Sequence, residues 1–277
     1  MIKTWFITGT SSGFGRGLTE QLLARGDRVA ATLRKVEVLD DLKAQYGDRL
    51  WVQPLDVTDS DAIRTVVAKA FAELGRIDVI VSNAGYGLFG AAEELTDAQI
   101  RHQIDTNLIG SIQLTRAVIP HLRAQGGGRF LQLASMGAHI GFPGLSLYHA
   151  TKWAIEGFFE SVIQEVAPFG IQVTLVEPGT ARTDFAGRGA VEPPEMTIYD
   201  DTPVGALRRG RKDGSFAWLG DPAKMVAEMM KAADQPTAPK RLTLGSDAYT
   251  LVRAALTERL QALDAQKDLA LSTDADA

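Results

Sequence analysis

Short apolar runs alternate along this chain with longer stretches in which apolar positions recur every three or four residues. The runs are Lys3–Thr8, Arg28–Leu33, Leu50–Leu55, Ile77–Ser82, Arg129–Ala134, Ile171–Val176 and Arg241–Leu244. They are apolar or β-branched nearly throughout, as parallel strands covered on both faces are. The clearest helical stretch follows Asp59-Ser60, which caps it, with Ile63, Val66, Val67, Ala70, Phe71 and Leu74 in helical register before Gly75. Asp97–Gln125 repeats the pattern through Ile100, Ile104, Leu108, Ile112 and Leu122. Tyr148–Pro168 does so through Ile155, Phe158, Phe159, Val162 and Val166. Strand–helix alternation predicts an α/β fold with a doubly wound parallel sheet of about seven strands. No repeat or linker interrupts it, so residues 1–277 read as one domain. Asp184–Asp221, rich in Gly, Pro and charge, breaks the rhythm and reads as irregular. Residues 272–277 read as a flexible tail.

Composition narrows the chemistry. With 45% apolar and 23% charged residues the chain builds an ordinary globular core. A net charge of 29 − 34 = −5 argues against a nucleic-acid partner. There is no cysteine, which excludes disulfides, thiolate nucleophiles and Cys-based zinc sites. His102, His121, His139 and His149 form no close pair at ligand spacing, so no metal site is expected. No apolar run approaches the ~18 residues of a membrane span, and no leader pattern opens the chain. The expectation is a cytoplasmic protein without a membrane partner.

The first strand runs directly into Thr8-Gly9-Thr10-Ser11-Ser12-Gly13-Phe14-Gly15, followed by a helical pattern with Leu18, Leu22 and Leu23. Three glycines at a strand-to-helix turn permit tight dihedrals and bring bare N–H groups against a diphosphate. Tyr148 and Lys152 lie four apart on a helical pattern and therefore share a face. A phenol ordinarily titrates near 10 and a neighbouring ammonium favours its phenolate, so the pair is suited to proton exchange with an alcohol or carbonyl. Ser135 stands at the end of the fifth strand, where doubly wound sheets bind ligands. Asn107 sits inside a long helical pattern although asparagine is a poor helix former. At the end of the second strand Leu33 is followed by Arg34-Lys35; an arginine there suits a 2′-phosphate, an acidic residue a 2′-hydroxyl.

These motifs, in this order, resemble those of the short-chain dehydrogenase/reductase family. The resemblance rests on Thr8-Gly9, Gly13-Phe14-Gly15, Asn83-Ala84-Gly85, Ser135, Tyr148-His149-Ala150-Thr151-Lys152 and Pro178-Gly179, and covers residues 3 to 184 most strongly. Phe14 departs from the aliphatic residue usual there. The resemblance implies a Rossmann-fold oxidoreductase of carbonyl reductase or alcohol dehydrogenase type. Tyr148 would be the general acid in reduction and the base in oxidation. Lys152 would lower the Tyr148 pKa and bind the nicotinamide ribose, Ser135 would orient the carbonyl, and Asn107 would position a relay water. The implied cofactor is NADP(H), with NAD(H) disfavoured. Gly9, Ser11, Ser12, Gly13, Phe14 and Gly15 would hold its diphosphate and Arg34 its phosphate. Asp56-Val57 would contact adenine, and Asn83, Ala84 and Gly85 would run beside the ribose. Pro178, Gly179, Ala181 and Thr183 would wrap the nicotinamide.

The resemblance also makes 184–221 a substrate lid, carrying Phe185, Met196, Tyr199, Phe216 and Trp218. Leu88 and Phe89, and His139, Ile140 and Phe142, would add pocket walls. Mostly apolar walls imply a hydrophobic carbonyl or alcohol. The run Arg208-Arg209-Gly210-Arg211-Lys212 reads as a solvated loop, or alternatively as a site for an acidic substrate. Pairing of the helices Asp97–Gln125 and Tyr148–Pro168, with Trp153, Phe158 and Phe159, implies a homodimer or homotetramer. Two other functions fit the same fold: a catalytically silent dinucleotide sensor, and a family enzyme doing epimerisation or dehydration.

Overall fold

The computed structural model describes residues 2–183, 185 and 190–275. Seven strands form one parallel sheet: β1 (Thr4–Thr8), β2 (Arg28–Leu33), β3 (Leu50–Pro54), β4 (Val79–Ser82), β6 (Gly128–Leu133), β7 (Ile171–Pro178) and β9 (Arg241–Leu244). Their order is β3-β2-β1-β4-β6-β7-β9. Successive side chains of a strand leave opposite faces of the sheet. Trp5 and Ile7 therefore enter one core, with Val29, Ala31, Val79 and Val81, beneath α1 (Gly13–Arg25), α2 (Asp40–Tyr46) and α8 (Pro222–Asp234). Phe6, Ala30 and Ile80 enter the other, beneath α3 (Ser60–Leu74), α5 (Gly110–Ala124) and α6 (Ser146–Val166). All five residues of β1 are buried, which explains why the run has no polar alternation.

Asp59 caps α3 as its sequence suggests, accepting from the Asp61 and Ala62 amides at 3.0 and 2.9 Å. The predicted helix Asp97–Gln125 is one path in three pieces: α4 (Asp97–Ile104), a π-helical turn over Asp105–Ile109, and α5. A π-turn admits an extra residue and re-aims the side chains on it. Asn107 lies in that turn and is buried.

Positions 184 and 186–189 lie outside the described residues; from residue 190 onward the stretch expected to be irregular is more ordered than its composition suggests. It contains β8 (Ala190–Val191), which pairs with β5 (Gly87–Leu88), and the helix α7 (Pro203–Lys212). Thr202 caps α7 and Pro203 starts it. The basic run forms the last turns of α7 and is not a solvated loop. Arg208 pairs with buried Glu94, Arg209 reaches the Asp200 carbonyl at 2.5 Å, Arg211 meets Glu192 at 2.6 Å and Lys212 meets Glu195 at 2.7 Å. All four cations are thus engaged within the protein. Helices α9 (Ser246–Asp264) and α10 (Lys267–Leu271) end the chain. The expected tail at 272–277 continues from α10 as exposed turn and coil to residue 275, and positions 276 and 277 lie outside the described residues. Among the described residues no helix is long and apolar enough to cross a membrane.

Candidate active site

The C-terminal ends of the central strands open into a cavity of about 580 Å³. One part is lined by Gly9, Ser11, Ser12, Gly13, Phe14, Arg34, Asp56 and Val57, the other by Ser135, Phe142, Tyr148, His149, Phe185, Phe216 and Trp218.

In the first part the backbone makes the site. Gly9 adopts φ +73°, and a Cβ there would stand 2.8 Å from the Ala84 Cα. A Cβ on Gly15 would meet the Gly9 carbonyl oxygen at 2.3 Å, so only glycine lets the turn close on itself. Gly15 is buried behind the turn and does not line the cavity. Asn83 secures the same turn: its Nδ2 donates to the Thr8 and Gly9 carbonyls at 2.9 and 3.0 Å. The first turn of α1 carries no acidic residue and no side-chain cap, so its positive end faces the cavity unanswered. Arg34 is exposed at the end of β2, and no hydrogen bond or ion pair among the described residues engages it. Leu33 beside it is buried and apolar. Asp56 accepts from the Thr58 amide and hydroxyl at 3.0 and 2.8 Å. Burial alone would raise the Asp56 pKa, but those bonds, with Arg34 and His102, hold it below the usual range.

In the second part Tyr148 and Lys152 share a face of α6 as their spacing predicts, with Lys152 Nζ 5.7 Å from the Tyr148 ring centre. Lys152 Nζ donates to the Leu133 carbonyl at 2.7 Å. The Ser135 hydroxyl bonds to the phenol oxygen and accepts from the Gly137 amide at 3.0 Å. The lowering of the Tyr148 pKa expected from Lys152 is not met here. Burial pushes the phenol up to about 12, only partly offset by Ser135. Burial likewise pushes Lys152 down to about 8, with Glu156 opposing. Both groups are biased toward neutrality because both have lost water.

Several expected residues stand elsewhere. His139 turns away from the cavity, its Nε2 2.9 Å from Glu177 Oε1, beside buried Glu156 and partly exposed Arg241. Ile140 packs near Met136, Ala248 and Val252. Leu88 is buried in β5 beneath the wall, and Phe89 is the wall residue. Tyr199 faces out to Glu93, and Met196 is exposed. The Asn107 side chain is engaged by Tyr86, accepting from its amide at 3.0 Å and donating to its carbonyl at 2.9 Å. It anchors the segment after Asn83-Ala84-Gly85 and does not itself face the cavity. Phe159 is fully buried core and so cannot be an interface residue; Trp153 is 43% exposed. Phe185 covers Tyr148 edge-on, ring centres 5.4 Å apart. Pro178 and Gly179 end β7, and Ala181 and Thr183 line the cavity beyond them.

His149 is the residue that the sequence pattern passes over. Its Nε2 accepts from the Phe142 amide and its Nδ1 lies against the Gly137 carbonyl, both at 2.9 Å. Those partners fix a neutral ring with the proton on Nδ1. Burial also holds its pKa below 6.5. The ring thereby ties the loop after Ser135 to the helix that carries Tyr148. Its signal was its place beside Tyr148, but its partners lie on a separate loop.

Comparison with known proteins agrees with this arrangement. The family model for short chain dehydrogenases matches residues 3–190. An oxidoreductase BOA17 of Botryotinia fuckeliana is 40% identical over 249 residues, covering 90% of each chain. A 3-ketodihydrosphingosine reductase of Bacteroides thetaiotaomicron is 36% identical over 243 residues, covering 86% of each. The crystal structure of a short-chain dehydrogenase from Streptomyces avermitilis superposes with a TM-score of 0.91 at 40% identity, over 99% of this chain and 100% of that one. A serine dehydrogenase complexed with NADP+ superposes with a TM-score of 0.74 at 26% identity, over 87% of this chain and 94% of that one.

Proposed function

This chain belongs to the short chain dehydrogenase family of oxidoreductases, and on that premise we propose that it interconverts a hydrophobic ketone or aldehyde and its alcohol with NADP(H), using Tyr148 as the acid–base group. One observation carries the reading: the Ser135–Tyr148 hydroxyl pair stands in the same cavity as the uncapped glycine turn.

The dinucleotide would supply the hydride. This chain's residues manage the proton. A phenol pushed up to about 12 keeps its proton at neutral pH, so Tyr148 is set to act as an acid toward a carbonyl oxygen in reduction. Ser135, bonded to the phenol oxygen and held by the Gly137 amide, shares that oxygen's position and steadies charge developing on it. Lys152, pinned to Leu133, presents a cation below about pH 8 beside the same face. Asn107 supports the site indirectly, by fixing Tyr86.

The glycine turn and the first turn of α1 hold the diphosphate, and Ala181 and Thr183 hold the nicotinamide end. Arg34 reads the 2′-phosphate: no carboxylate stands at Leu33 to repel it, and no hydrogen bond or ion pair among the described residues engages the guanidinium. NAD(H) would lack that contact. The serine dehydrogenase complexed with NADP+ supports the cofactor assignment. The segment 184–221 acts as the substrate lid, with Phe185, Phe216 and Trp218 on its inner side. Its apolar walls, together with Phe89 and Phe142, select an apolar carbonyl compound, and the similarity to a 3-ketodihydrosphingosine reductase supports a ketone. Trp153 and the exposed side of the α4–α5 path fit the face of a homo-oligomer.

Consumption of NADPH across a panel of aliphatic and aromatic ketones and aldehydes, with Tyr148→Phe as control, tests the proposal. The variant should bind NADPH as the wild type does and lose at least about a hundredfold in turnover, the scale of general acid catalysis. Near-normal turnover by Tyr148→Phe would remove the assignment. Tight cofactor binding by the wild type with no turnover on any member would favour the sensor.

A further inference from the structure

The end of the chain carries an apolar surface that the proposed chemistry does not use. In α9, Ala248 and Val252 pack on the body near Met136. Every residue from Leu256 to Asp264 is exposed. A helix advances about 100° per residue, which aligns Tyr249, Leu256, Leu260 and Leu263 in one stripe. Their exposures are 65%, 48%, 58% and 65%. The stripe lies roughly at right angles to the side that touches the body, where Arg259 stacks on Trp153 at 4.3 Å.

We propose that this stripe is an interface with a second copy of the chain, the two α9 helices packing antiparallel about a two-fold axis. Charge at its edge points to this occupant and this direction. Arg253 and Asp264 flank the stripe on the same side, at opposite ends of its leucine segment. Antiparallel pairing puts Arg253 against Asp264 of the partner subunit, twice by symmetry, with Leu256, Leu260 and Leu263 meeting between them. Parallel pairing would set the edge that carries Arg253 and Asp264 against the opposite edge of the partner's stripe, where Val252 and Arg259 turn to the body, and would leave both charges unpaired. A two-fold contact joins a patch to itself, and this patch is self-complementary only in the antiparallel sense. The stripe itself includes none of the residues of α4 to α6 discussed above.

Sedimentation of the full chain, wild type and variants, tests this at several protein concentrations. Leu260→Asp should halve the mass of the assembly while leaving circular dichroism and NADPH binding unchanged. Arg253→Asp should weaken association roughly tenfold, the scale expected when two edge pairs become repulsive, and Arg253→Asp with Asp264→Arg should restore it. An unchanged mass for folded Leu260→Asp would overturn the proposal. Dissociation that the double charge swap does not rescue would overturn the antiparallel pairing. Wild-type binding to lipid vesicles that Leu260→Asp abolishes, with mass unchanged, would assign the stripe to a membrane surface instead.

Discussion

Lys152→Met should make the protein more stable at neutral pH while removing its activity. Lys152 is buried, and its pKa falls from an ordinary 10.5 to about 8. At about 1.4 kcal/mol per pH unit, that gap corresponds to about 3 kcal/mol of folding free energy withheld whenever the unfolded chain carries the proton. The sign follows from proton counts. Between pH 8 and 10.5 the unfolded chain binds more protons than the native one, so stability rises with pH across that window. Below pH 8 the full cost is present. Methionine keeps the apolar stem and removes the charge. It also loses the 2.7 Å bond to the Leu133 carbonyl, but that oxygen retains the Gln132 amide at 3.2 Å, so the loss is about 1 kcal/mol. The net gain is about 2 kcal/mol at pH 7. At pH 9.5 the cost of burying the wild-type lysine falls to about 1.4 kcal/mol, and the gain all but vanishes. Urea unfolding of both proteins at the two pH values measures this directly. A variant no more stable than the wild type at pH 7, or an advantage that does not shrink by pH 9.5, would refute the claim that desolvation governs Lys152.

Arg34→Ala should weaken NADPH binding by about tenfold or more and leave NADH nearly unaffected, as fluorescence titration with each would show; equal losses would remove the phosphate role. His149→Ala breaks two buried backbone bonds and should cost about 2 kcal/mol, with a raised KM because the Phe142 wall is released. His149 titrates below 6.5 in the native protein, so wild-type stability should begin to fall as pH drops through 6.5. His149→Gln should lack that dependence, which unfolding curves from pH 5 to 7.5 would reveal.

Whatever depends on neighbours in the chain was legible in the sequence. Seven apolar runs became seven strands, because burial on both faces demands uninterrupted apolar character. Their ends shifted by a residue or two: Ile77 is buried but precedes β4, and β7 extends to Pro178. The glycine turn and the Tyr148–Lys152 spacing were readable because backbone sterics and helical pitch act over a few residues. The pairing of Arg208 of α7 was not, since its partner Glu94 lies more than a hundred positions away. Nor was it readable that His139 would turn to Glu177 while His149 bridged Gly137 and Phe142: both rings follow Ser135 within fifteen residues, and a loop path decides their directions.

The sequence by itself determined the order of elements and which residue types reach the ends of the central strands. Tertiary structure alone decided the protonation of the site. A tyrosine and a lysine four apart read as an ammonium easing a phenol toward its anion. Packed under Phe185 and against Leu133, both lose water, and desolvation governs both. The cost of removing a charge from solvent depends on everything that surrounds it, and most of that surrounding is contributed by residues far away along the chain.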